Sequence, residues 1–244
     1  MNLVDESVKL IQDNEPPEGY HVAFSGGKDS VVIKELVIRS GVKHTSHFAR
    51  TSIDPPELLD FIRGYHKDVI WHRPELTMYQ LIVKEKMLPT RRIKFCCKNL
   101  KEHLGTDETV ITGIRAKESP NRAKREETEE GNRGKSFVHP IFKWSENDVW
   151  NFIRNNNLPY CKLYDEGFLR IGCIGCPMHT YNQHLYEFDR WKQHKVAYLN
   201  TIQKLIDMGK FSDFDDREDV YEWWISGDSK RKHLAKKEQN KFEF

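Results

Sequence analysis

The sequence predicts an α/β protein with a mostly parallel, doubly wound sheet covered by helices on both faces, followed by a helical C-terminal extension. Short apolar runs alternate with amphipathic segments along the N-terminal part of the chain, as in strand–helix–strand units. One apolar run, His21–Phe24, ends in a Ser-Gly-Gly turn and leads into residues 31–38, whose apolar positions share one helical face. Sheets of this kind bind ligands beyond the carboxyl ends of their strands.

Glycine and proline residues separate the predicted elements. A first helix is expected within residues 1–14 and ends at the Glu-Pro-Pro-Glu-Gly stretch 15–19. Further strands are expected at 44–49, 68–72 and 109–112, and further helices at 55–62, 77–86, 145–153 and 185–208, the last as one helix or two. Ser145 is the expected N-cap of its helix, and Trp144 and Trp150 are expected to be packing residues.

The distribution of charge indicates the loops and the domain division. Residues 121–135 are almost wholly charged or small, which predicts a mobile surface loop. Residues 229–244 are strongly charged and are expected to be helical or frayed. The predicted division is an α/β domain at 1–180 and a charged helical extension at 181–244.

The composition is that of a soluble globular protein. The chain has 244 residues, of which 38% are hydrophobic and 31% are charged, and its mean hydropathy is −0.73. No apolar run is long enough to span a membrane, and the N-terminus lacks the pattern of a secretory signal, so a cytoplasmic location is expected. The net charge of +2 is too small to indicate nucleic-acid binding by itself.

Residues Ser25–Ser30, with the sequence Ser-Gly-Gly-Lys-Asp-Ser, are the first candidate for a binding site. Two adjacent glycines permit a sharp turn and a close approach of the backbone to a ligand, and the following helix presents unpaired N–H groups to an anion. Lys28 adds a positive charge, Ser25 and Ser30 add hydroxyl groups, and Asp29 is expected to cap the helix. These features describe a phosphate cradle, with an ordinary glycine turn between a strand and a helix as the alternative, and the Walker pattern is absent.

Four of the five cysteines form two pairs, Cys96-Cys97 and Cys173-Ile174-Gly175-Cys176. The odd number and this grouping are unlike a secreted disulfide framework. Two pairs of thiolates suit an iron–sulfur cluster or zinc, and adjacent cysteines are unusual in structural zinc sites. The pattern favours a 4Fe–4S cluster first and Zn²⁺ second, ahead of free thiols or a redox-active pair.

Several segments resemble a known family. The Ser25–Ser30 segment resembles the PP-loop of adenine-nucleotide alpha-hydrolases, and Cys96-Cys97 with Lys101 resembles the Cys-Cys-x-x-x-Lys segment of cluster-bearing sulfonucleotide reductases. The segments that resemble the phosphoadenosine phosphosulfate (PAPS) reductase family, in the same order, are residues 25–30, 95–101, 112–122, 140–150 and 158–173. On these segments the chain is identified as a member of that family.

The resemblance implies an adenine-nucleotide alpha-hydrolase-like fold and a set of ligand-binding residues. The residues implied to bind nucleotide or phosphate are Ser25, Gly26, Gly27, Lys28, Asp29, Ser30, Thr51, Gly113, Arg115, Lys117 and Arg122. Arg115, Lys117 and Arg122 lie just past a predicted strand end, where guanidinium groups can grip phosphate or sulfate oxygens in a bidentate manner. Glu118 is expected to hold Arg115 in place. The implied cluster ligands are Cys96, Cys97, Cys173 and Cys176.

The chain departs from the family at the catalytic thiol. Sulfonucleotide reductases attack the substrate sulfur with a cysteine near the C-terminus, and this sequence has no cysteine after Cys176. Cys161 is the remaining thiol and the alternative nucleophile, with Lys162 and His184 as candidate activators. A small packing residue is the favoured interpretation of Cys161.

Three functions follow from this interpretation. The first is an adenylating sulfurtransferase: ATP binds at the PP-loop, Lys28 and the loop amides stabilise the leaving pyrophosphate with Mg²⁺, and the cluster helps to transfer sulfur to an acceptor. The second is a reductase of adenosine 5′-phosphosulfate (APS) or PAPS that releases sulfite with a non-standard or partner-supplied thiol. The third is a non-catalytic nucleotide- and cluster-binding regulatory module.

The expected partners are ATP or APS/PAPS, a sulfur-donor protein or thiol reductant, and a second copy of the chain. A nucleic-acid acceptor is an alternative, because residues 230–237 carry a basic run. The neighbouring Glu238 and the low aromatic content of this run suit a solvated helix end equally well. No membrane partner is expected.

Overall fold

The computed structural model describes residues 2–241, and for residues 240 and 241 it describes the backbone alone. The strands are β1 Tyr20–Ala23, β2 His44–Ala49, β3 Ile70–His72, β4 Thr109–Ile111, β5 Thr128–Glu130 and β6 Ser136–Val138. The helices are α1 Leu3–Asp13, α2 Lys28–Ser40, α3 Pro56–Tyr65, α4 Met78–Glu85, α5 Phe95–Leu100, α6 Glu146–Asn155, α7 Tyr181–Arg190, α8 Lys192–Asp207, α9 Arg217–Ser226 and α10 Lys230–Lys241. The end of the predicted extension, residues 242–244, lies outside the described residues.

The six strands form one sheet in the order β3-β2-β1-β4-β6-β5. The pairs from β3 to β6 are parallel, and only β5 pairs with its neighbour in the antiparallel direction. The predicted α/β class with a mostly parallel sheet is therefore confirmed. Because β1 lies inside the sheet and α2 follows it directly, the loop between them is at the carboxyl edge of the sheet.

The chain divides into two compact units. The first contains residues 1–50, 55–73 and 102–172, and therefore the whole sheet; the second contains residues 51–54, 74–101 and 173–244. The predicted division between residues 180 and 181 stays a prediction. Among the described residues, no helix is both long enough and apolar enough to cross a membrane.

The core of the first unit lies between the sheet and the helices that pack on one of its faces. Its buried residues come from α1, β1, α2, β4, β6, α6 and the loops beside them, with Val22, Leu36 and Ile111 fully enclosed. Trp144 is buried in this core and Trp150 packs against it, as predicted. Burial of these side chains is the main source of the unit's stability.

Aromatic side chains fill the interior of the second unit. The ring of Tyr198 lies 4.7 Å from that of Trp224 and 5.6 Å from that of Phe188, measured between ring centroids. The indole Nε1 of Trp224 donates a hydrogen bond to the carbonyl oxygen of Pro89 at 2.8 Å, which ties α9 to the segment after α4. This interior surrounds the loop that carries the second cysteine pair.

Two predicted helix starts are confirmed by their capping residues. The Ser145 hydroxyl accepts a hydrogen bond from the Asp148 amide, and the Asp148 carboxylate accepts one from the Ser145 amide. Thr77 and Gln80 make the same reciprocal pair at the start of α4. Such capping boxes satisfy N–H groups that have no partner within the helix.

Three predictions about local structure need correction. Residues 128–130, inside the predicted mobile loop 121–135, form β5 and pair with β6. The segment 185–208 belongs to two helices separated at Trp191, and the first of them begins earlier, at Tyr181. Helices α5 and α9 were not predicted; α5 is too short for a clear apolar period.

Candidate functional site

The backbone of the Ser25–Ser30 segment, the predicted phosphate loop, requires glycine at its first turn. Gly26 has φ +74°, a backbone conformation that residues other than glycine rarely adopt. A Cβ atom at this position would lie 2.6 Å from Cδ1 of Leu58. Gly27 is the N-cap residue of α2 and has no side chain to cap the helix. The loop therefore turns against Leu58 and Ile62 of α3 and leads into α2. The first backbone N–H groups of α2 have no partner within the helix.

The serine hydroxyls of the loop hold it together. Ser30 donates a hydrogen bond to the carbonyl oxygen of Gly27 at 2.8 Å, and the hydroxyl of Ser25 lies 3.2 Å from that of Ser30. Ser30 is buried, whereas Ser25 is exposed. Ser30 consequently supports the turn, and Ser25 is the hydroxyl that a ligand can reach.

Lys28 brings a positive charge to the loop at a buried position. Its side chain is about 6% exposed, and its Nζ atom lies 3.2 Å from the carbonyl oxygen of Leu169 and 3.4 Å from the carboxylate of Glu146. A second carboxylate, that of Asp29, lies 3.8 Å from Nζ. Partners on three sides compensate for the loss of hydration of the ammonium group.

Asp29 binds an arginine and does not cap α2, which corrects the prediction. Its carboxylate accepts a hydrogen bond from Nε of Arg115 at 2.6 Å, and Arg115 is 4% exposed. The predicted partner of Arg115, Glu118, accepts a hydrogen bond from the Arg115 backbone amide at 2.9 Å. A Cβ atom at Gly113 would lie 3.0 Å from that of Asp29, so glycine permits this close approach.

The two other predicted cations near β4, Lys117 and Arg122, are more exposed to solvent than Arg115. Lys117 is exposed, and Arg122 forms an ion pair with Glu118. The first unit therefore brings together Ser25–Ser30, Gly113 and Arg115, with Lys117 and Arg122 on the segment that follows. Their roles in binding nucleotide stay predictions.

Thr51, the last of the predicted nucleotide-binding residues, belongs to the second unit. It is fully buried; its hydroxyl donates to Asp54 Oδ1 at 2.7 Å, and its backbone amide donates to Oδ2 of the same carboxylate at 2.7 Å. The thiol of Cys173 lies 3.5 Å from the same hydroxyl oxygen. Within its unit, Thr51 is thus a neighbour of the cysteines.

Both cysteine pairs are in the second unit. Cys96 and Cys97 lie in the first turn of α5, and Cys173 and Cys176 lie in a turn in which Gly175 has φ +70°. The Gly175 amide donates to the buried carboxylate of Glu187 at 3.0 Å, and a Cβ atom on Gly175 would lie 2.7 Å from the ring of Phe188. Packing and a buried acceptor therefore fix the turn between Cys173 and Cys176.

The thiols are close enough to influence one another. The pKa of Cys96 is raised by a hydrogen bond with Cys97, by burial and by repulsion from Cys97 and Cys173. The pKa of Cys176 is raised mainly by burial, and a charge on Cys173 adds to this. Lys101 is an exposed residue overall, but its ammonium group lies beside Cys173, whose negative charge raises the pKa of Lys101.

The chemistry of this donor set fits a thiolate-bound cluster. A metal that withdraws charge from the sulfurs would relieve the repulsion that contributes to the raised pKa of Cys96 and of Cys176, and Lys101 supplies a nearby positive charge. Within residues 2–241, no group of three or more His, Cys, Asp or Glu side chains is arranged to hold a single metal ion. The 4Fe–4S cluster and the zinc alternative stay predictions.

Cys161 belongs to the first unit. Its side chain is fully buried, and burial raises the pKa of its thiol above the usual value. A neutral, enclosed thiol is a poor nucleophile. The observation supports the interpretation of Cys161 as a packing residue.

The sequence did not indicate three groups that contact the loop: the Glu146 carboxylate, the Leu169 carbonyl and the Tyr164 hydroxyl. The hydroxyl of Tyr164 accepts a hydrogen bond from the backbone amide of Lys28 at 2.9 Å. These groups are more than a hundred residues from the loop in sequence. The Leu169 group is a backbone carbonyl, which every residue type has, so the identity of residue 169 could not indicate this contact. Only the run Leu163-Tyr164-Asp165-Glu166-Gly167 in a family-like segment pointed to this region.

The basic run at the C-terminal end of the described chain is largely neutralised. Lys232 and Lys236 both bind Asp228, at 2.7 and 2.8 Å, and Lys237 binds Asp219 at 2.5 Å. Paired lysines contribute little to the attraction of phosphate groups at long range. A solvated helix end therefore fits α10 better than a nucleic-acid contact.

A parallel α/β sheet with a Ser-Gly-Gly-Lys-Asp-Ser loop at the carboxyl end of an inner strand defines a PP-loop-type nucleotide-binding fold. The family model described as the phosphoadenosine phosphosulfate reductase domain matches residues 19–179. The match covers more than half of the chain, and the chain belongs to this family.

The relatives include both reductases and uncharacterized proteins. The adenosine 5′-phosphosulfate reductase of Oceanobacillus iheyensis is 28% identical over 181 residues, which cover 69% of this chain and 75% of that protein. Two uncharacterized proteins of Methanocaldococcus jannaschii are 35% and 32% identical, over 64% and 84% of this chain. The chain spans only 35% and 51% of the length of these two relatives.

A solved structure shows the same fold. The crystal structure of phosphoadenylyl-sulfate reductase from Candida auris, in a phosphate complex, aligns with a TM-score of 0.55 over 69% of this chain and 88% of that one. The sequence identity is 17%. At this identity the likeness supports the fold alone.

Proposed function

We propose that this protein is an adenylating sulfurtransferase that binds an adenine nucleotide at the Ser25–Ser30 loop. The observation that carries the proposal is the loop itself, in which a helix start, a buried lysine and an exposed serine hydroxyl converge at the carboxyl edge of the sheet. In this reaction an acceptor oxygen attacks the α-phosphorus of ATP, and the bond to pyrophosphate breaks. Sulfide from a donor then displaces AMP from the adenylated acceptor.

Each residue of the loop has a role in this proposal. Lys28 and the amides of α2 stabilise the charge that develops on the leaving pyrophosphate, and Mg²⁺ shares this charge. Arg115 keeps Asp29 in place by their ion pair, so that the carboxylate remains near the ammonium group of Lys28. Lys117 and Arg122 are the candidates to contact outer phosphate or sulfate oxygens.

Cys96, Cys97, Cys173 and Cys176 would hold a 4Fe–4S cluster. When bound, such a cluster supplies redox-active iron that can also bind sulfide. The ammonium group of Lys101 beside Cys173 would stabilise the negative charge of the thiolates. The hydroxyl oxygen of Thr51 lies 3.5 Å from the Cys173 sulfur, and the hydroxyl donates its hydrogen to Asp54.

A second candidate function is the reduction of APS or PAPS with release of sulfite. The family assignment and the APS reductase relative favour it. This reaction needs a thiolate to attack the sulfur, and burial of Cys161 makes that residue a poor source. Under this alternative, a partner protein supplies the thiol.

The test is nucleotide turnover by the anaerobically purified protein. Release of pyrophosphate from ATP, stimulated by a sulfide donor and lost in Lys28→Ala, is expected for the first function. A matched control is Lys9→Ala, because Lys9 is exposed and pairs with Asp13 on the surface of α1. Sulfite release from APS would favour the second function, and nucleotide binding without either product would favour a regulatory module.

A further inference from the structure

Tyr164 accepts a hydrogen bond from the Lys28 amide, a backbone donor that a bound phosphate would be expected to use. Its hydroxyl oxygen accepts the hydrogen of the Lys28 amide at 2.9 Å. Lys28 is the first residue of α2, where a backbone N–H has no partner within the helix and is available to an anion. One N–H carries one hydrogen, so a phosphate oxygen can occupy the linear position at this amide only if Tyr164 leaves it.

The same segment also engages the lysine side chain. The carbonyl oxygen of Leu169, five residues further on, accepts a hydrogen bond from Nζ of Lys28 at 3.2 Å. The ammonium group lies 5.5 Å from the centroid of the Tyr164 ring. Residues 164–169 thus satisfy both the backbone and the side-chain donor of Lys28.

The ring of Tyr164 is held in this position by packing. Its centroid lies 5.1 Å from that of Trp150, and the two planes are nearly perpendicular. A phenol is neutral at physiological pH, and burial raises the pKa of Tyr164 further above its ordinary value. The phenol oxygen is therefore a weaker acceptor for the Lys28 amide than an anionic phosphate oxygen.

We propose that Tyr164 is an internal ligand of the phosphate loop, which competes with a nucleotide phosphate for the Lys28 amide. The inference rests on the proposed binding of nucleotide at this loop. A charge-assisted hydrogen bond is roughly twice as strong as a neutral one, so a phosphate displaces the phenol and a neutral ligand does not. Tyr164 accordingly lowers the affinity of the loop for phosphorylated ligands, which must first displace the phenol, and leaves the affinity for the free nucleoside unchanged.

The experiment compares ATP, inorganic pyrophosphate and adenosine binding to the full chain by calorimetry. Tyr164→Phe keeps the ring and its packing on Trp150 but removes the competing oxygen. We expect it to bind ATP and pyrophosphate roughly three- to tenfold more tightly, the range for one neutral hydrogen bond. The matched control is Tyr160→Phe, since the Tyr160 hydroxyl contacts Asp165 and no atom of the loop; its affinities should equal those of the wild type.

Fluorescence provides a second readout of displacement. Because Trp150 contacts the Tyr164 ring edge-on, ATP should change the emission of the wild-type protein, and Trp150→Phe should abolish that change. Unchanged or weaker ATP affinity in Tyr164→Phe, with measurable wild-type binding, would overturn the role of Tyr164 and leave the proposed function standing. If neither protein binds ATP, APS or pyrophosphate, the proposed function and this inference both fail.

Discussion

Gly26 is the residue of the phosphate loop with the strictest steric requirement. In Gly26→Ala, the new Cβ atom would lie 2.6 Å from Leu58 Cδ1 and 2.9 Å from Ile62 Cδ1, at a φ of +74°. Strain and overpacking should lower the free energy of unfolding by about 1–4 kcal/mol, as measured by urea denaturation. The loop should also lose affinity for pyrophosphate, because the turn would shift away from α3.

Gly64 offers a matched control for this substitution. It lies within α3, and a Cβ atom there would meet no other atom within 4 Å. Gly64→Ala should be neutral or stabilising by roughly 0.5–1 kcal/mol, because alanine favours the helix. Equal stability of the two variants would contradict the steric argument for Gly26.

His66 makes stability depend on pH. Burial, and next the charge of Lys34, lower the pKa of His66 to about 4, against an ordinary value of 6.5; Asp68 opposes this effect. Between these two values the unfolded state binds a proton that the folded state does not, so stability falls as the pH falls from 6.5 to 4. The contribution of this group to the slope approaches about 1.4 kcal/mol per pH unit.

The measurement is urea denaturation of wild type and His66→Asn at several pH values between 7 and 4.5. The variant lacks the titrating group, so its free energy of unfolding should fall less steeply over this window. Buried Nε2 of His66 has no hydrogen-bond partner, which adds a reason for the group to remain neutral in the folded state. Parallel pH profiles of the two proteins would show that another group causes the loss.

The residues of the loop could be predicted from sequence, but their partners could not. Ser25–Ser30 were identified because the turn, the charge and the helix start are local features of the chain. The cap predicted for Asp29 was wrong because Arg115, distant in sequence, offers its carboxylate a charged donor at 2.6 Å. The contact of Tyr164 with the loop was not predicted for the same reason, since only folding brings its hydroxyl to the Lys28 amide.

At the scale of elements, helix α6 carries Glu146 to the ammonium group of Lys28, and Ser145 defines where that helix begins. Ser145→Ala removes the hydroxyl that accepts the Asp148 amide, and should lower the free energy of unfolding by about 0.5–2 kcal/mol. The measurement is thermal and urea denaturation. Ser212→Ala, at an exposed residue outside any helix, should change stability by less than roughly 0.5 kcal/mol, and an equal loss in both variants would argue against capping.

The elements that were predicted correctly have strong local signals. Helix α3 begins at a pair of prolines and has apolar residues at helical spacing, and its position agrees with the prediction. Strand β5 was missed because its sequence, Thr-Glu-Glu, has no apolar alternation and forms only by pairing with β6. Pairing at a sheet edge is a tertiary effect that residue type alone does not predict.

At the scale of the whole molecule, the chain separates its two candidate chemistries into two compact units. The phosphate loop with Arg115 belongs to the first unit, and the four paired cysteines with Lys101 belong to the second. Segments 51–54 and 74–101 leave the first unit and join the second, so neither unit is one continuous stretch. Spatial contact and not sequence order defines these units, and the division into 1–180 and 181–244 stays a prediction.

The cysteines permit a test that separates metal chemistry from packing. The anaerobically purified protein should be brown and contain iron and sulfide in equal amounts, about four of each per chain. Cys96→Ser should lose most of the iron, since the thiolate pair with Cys97 would be broken. Cys161→Ala should keep the iron, even though loss of a buried sulfur lowers its stability. Full iron content in Cys96→Ser would contradict the assignment of Cys96 as a cluster ligand. A colourless protein that contains zinc would contradict the cluster itself. In that case the four thiolates and Lys101 would surround a structural ion, and the proposed sulfur-transfer step would have no iron.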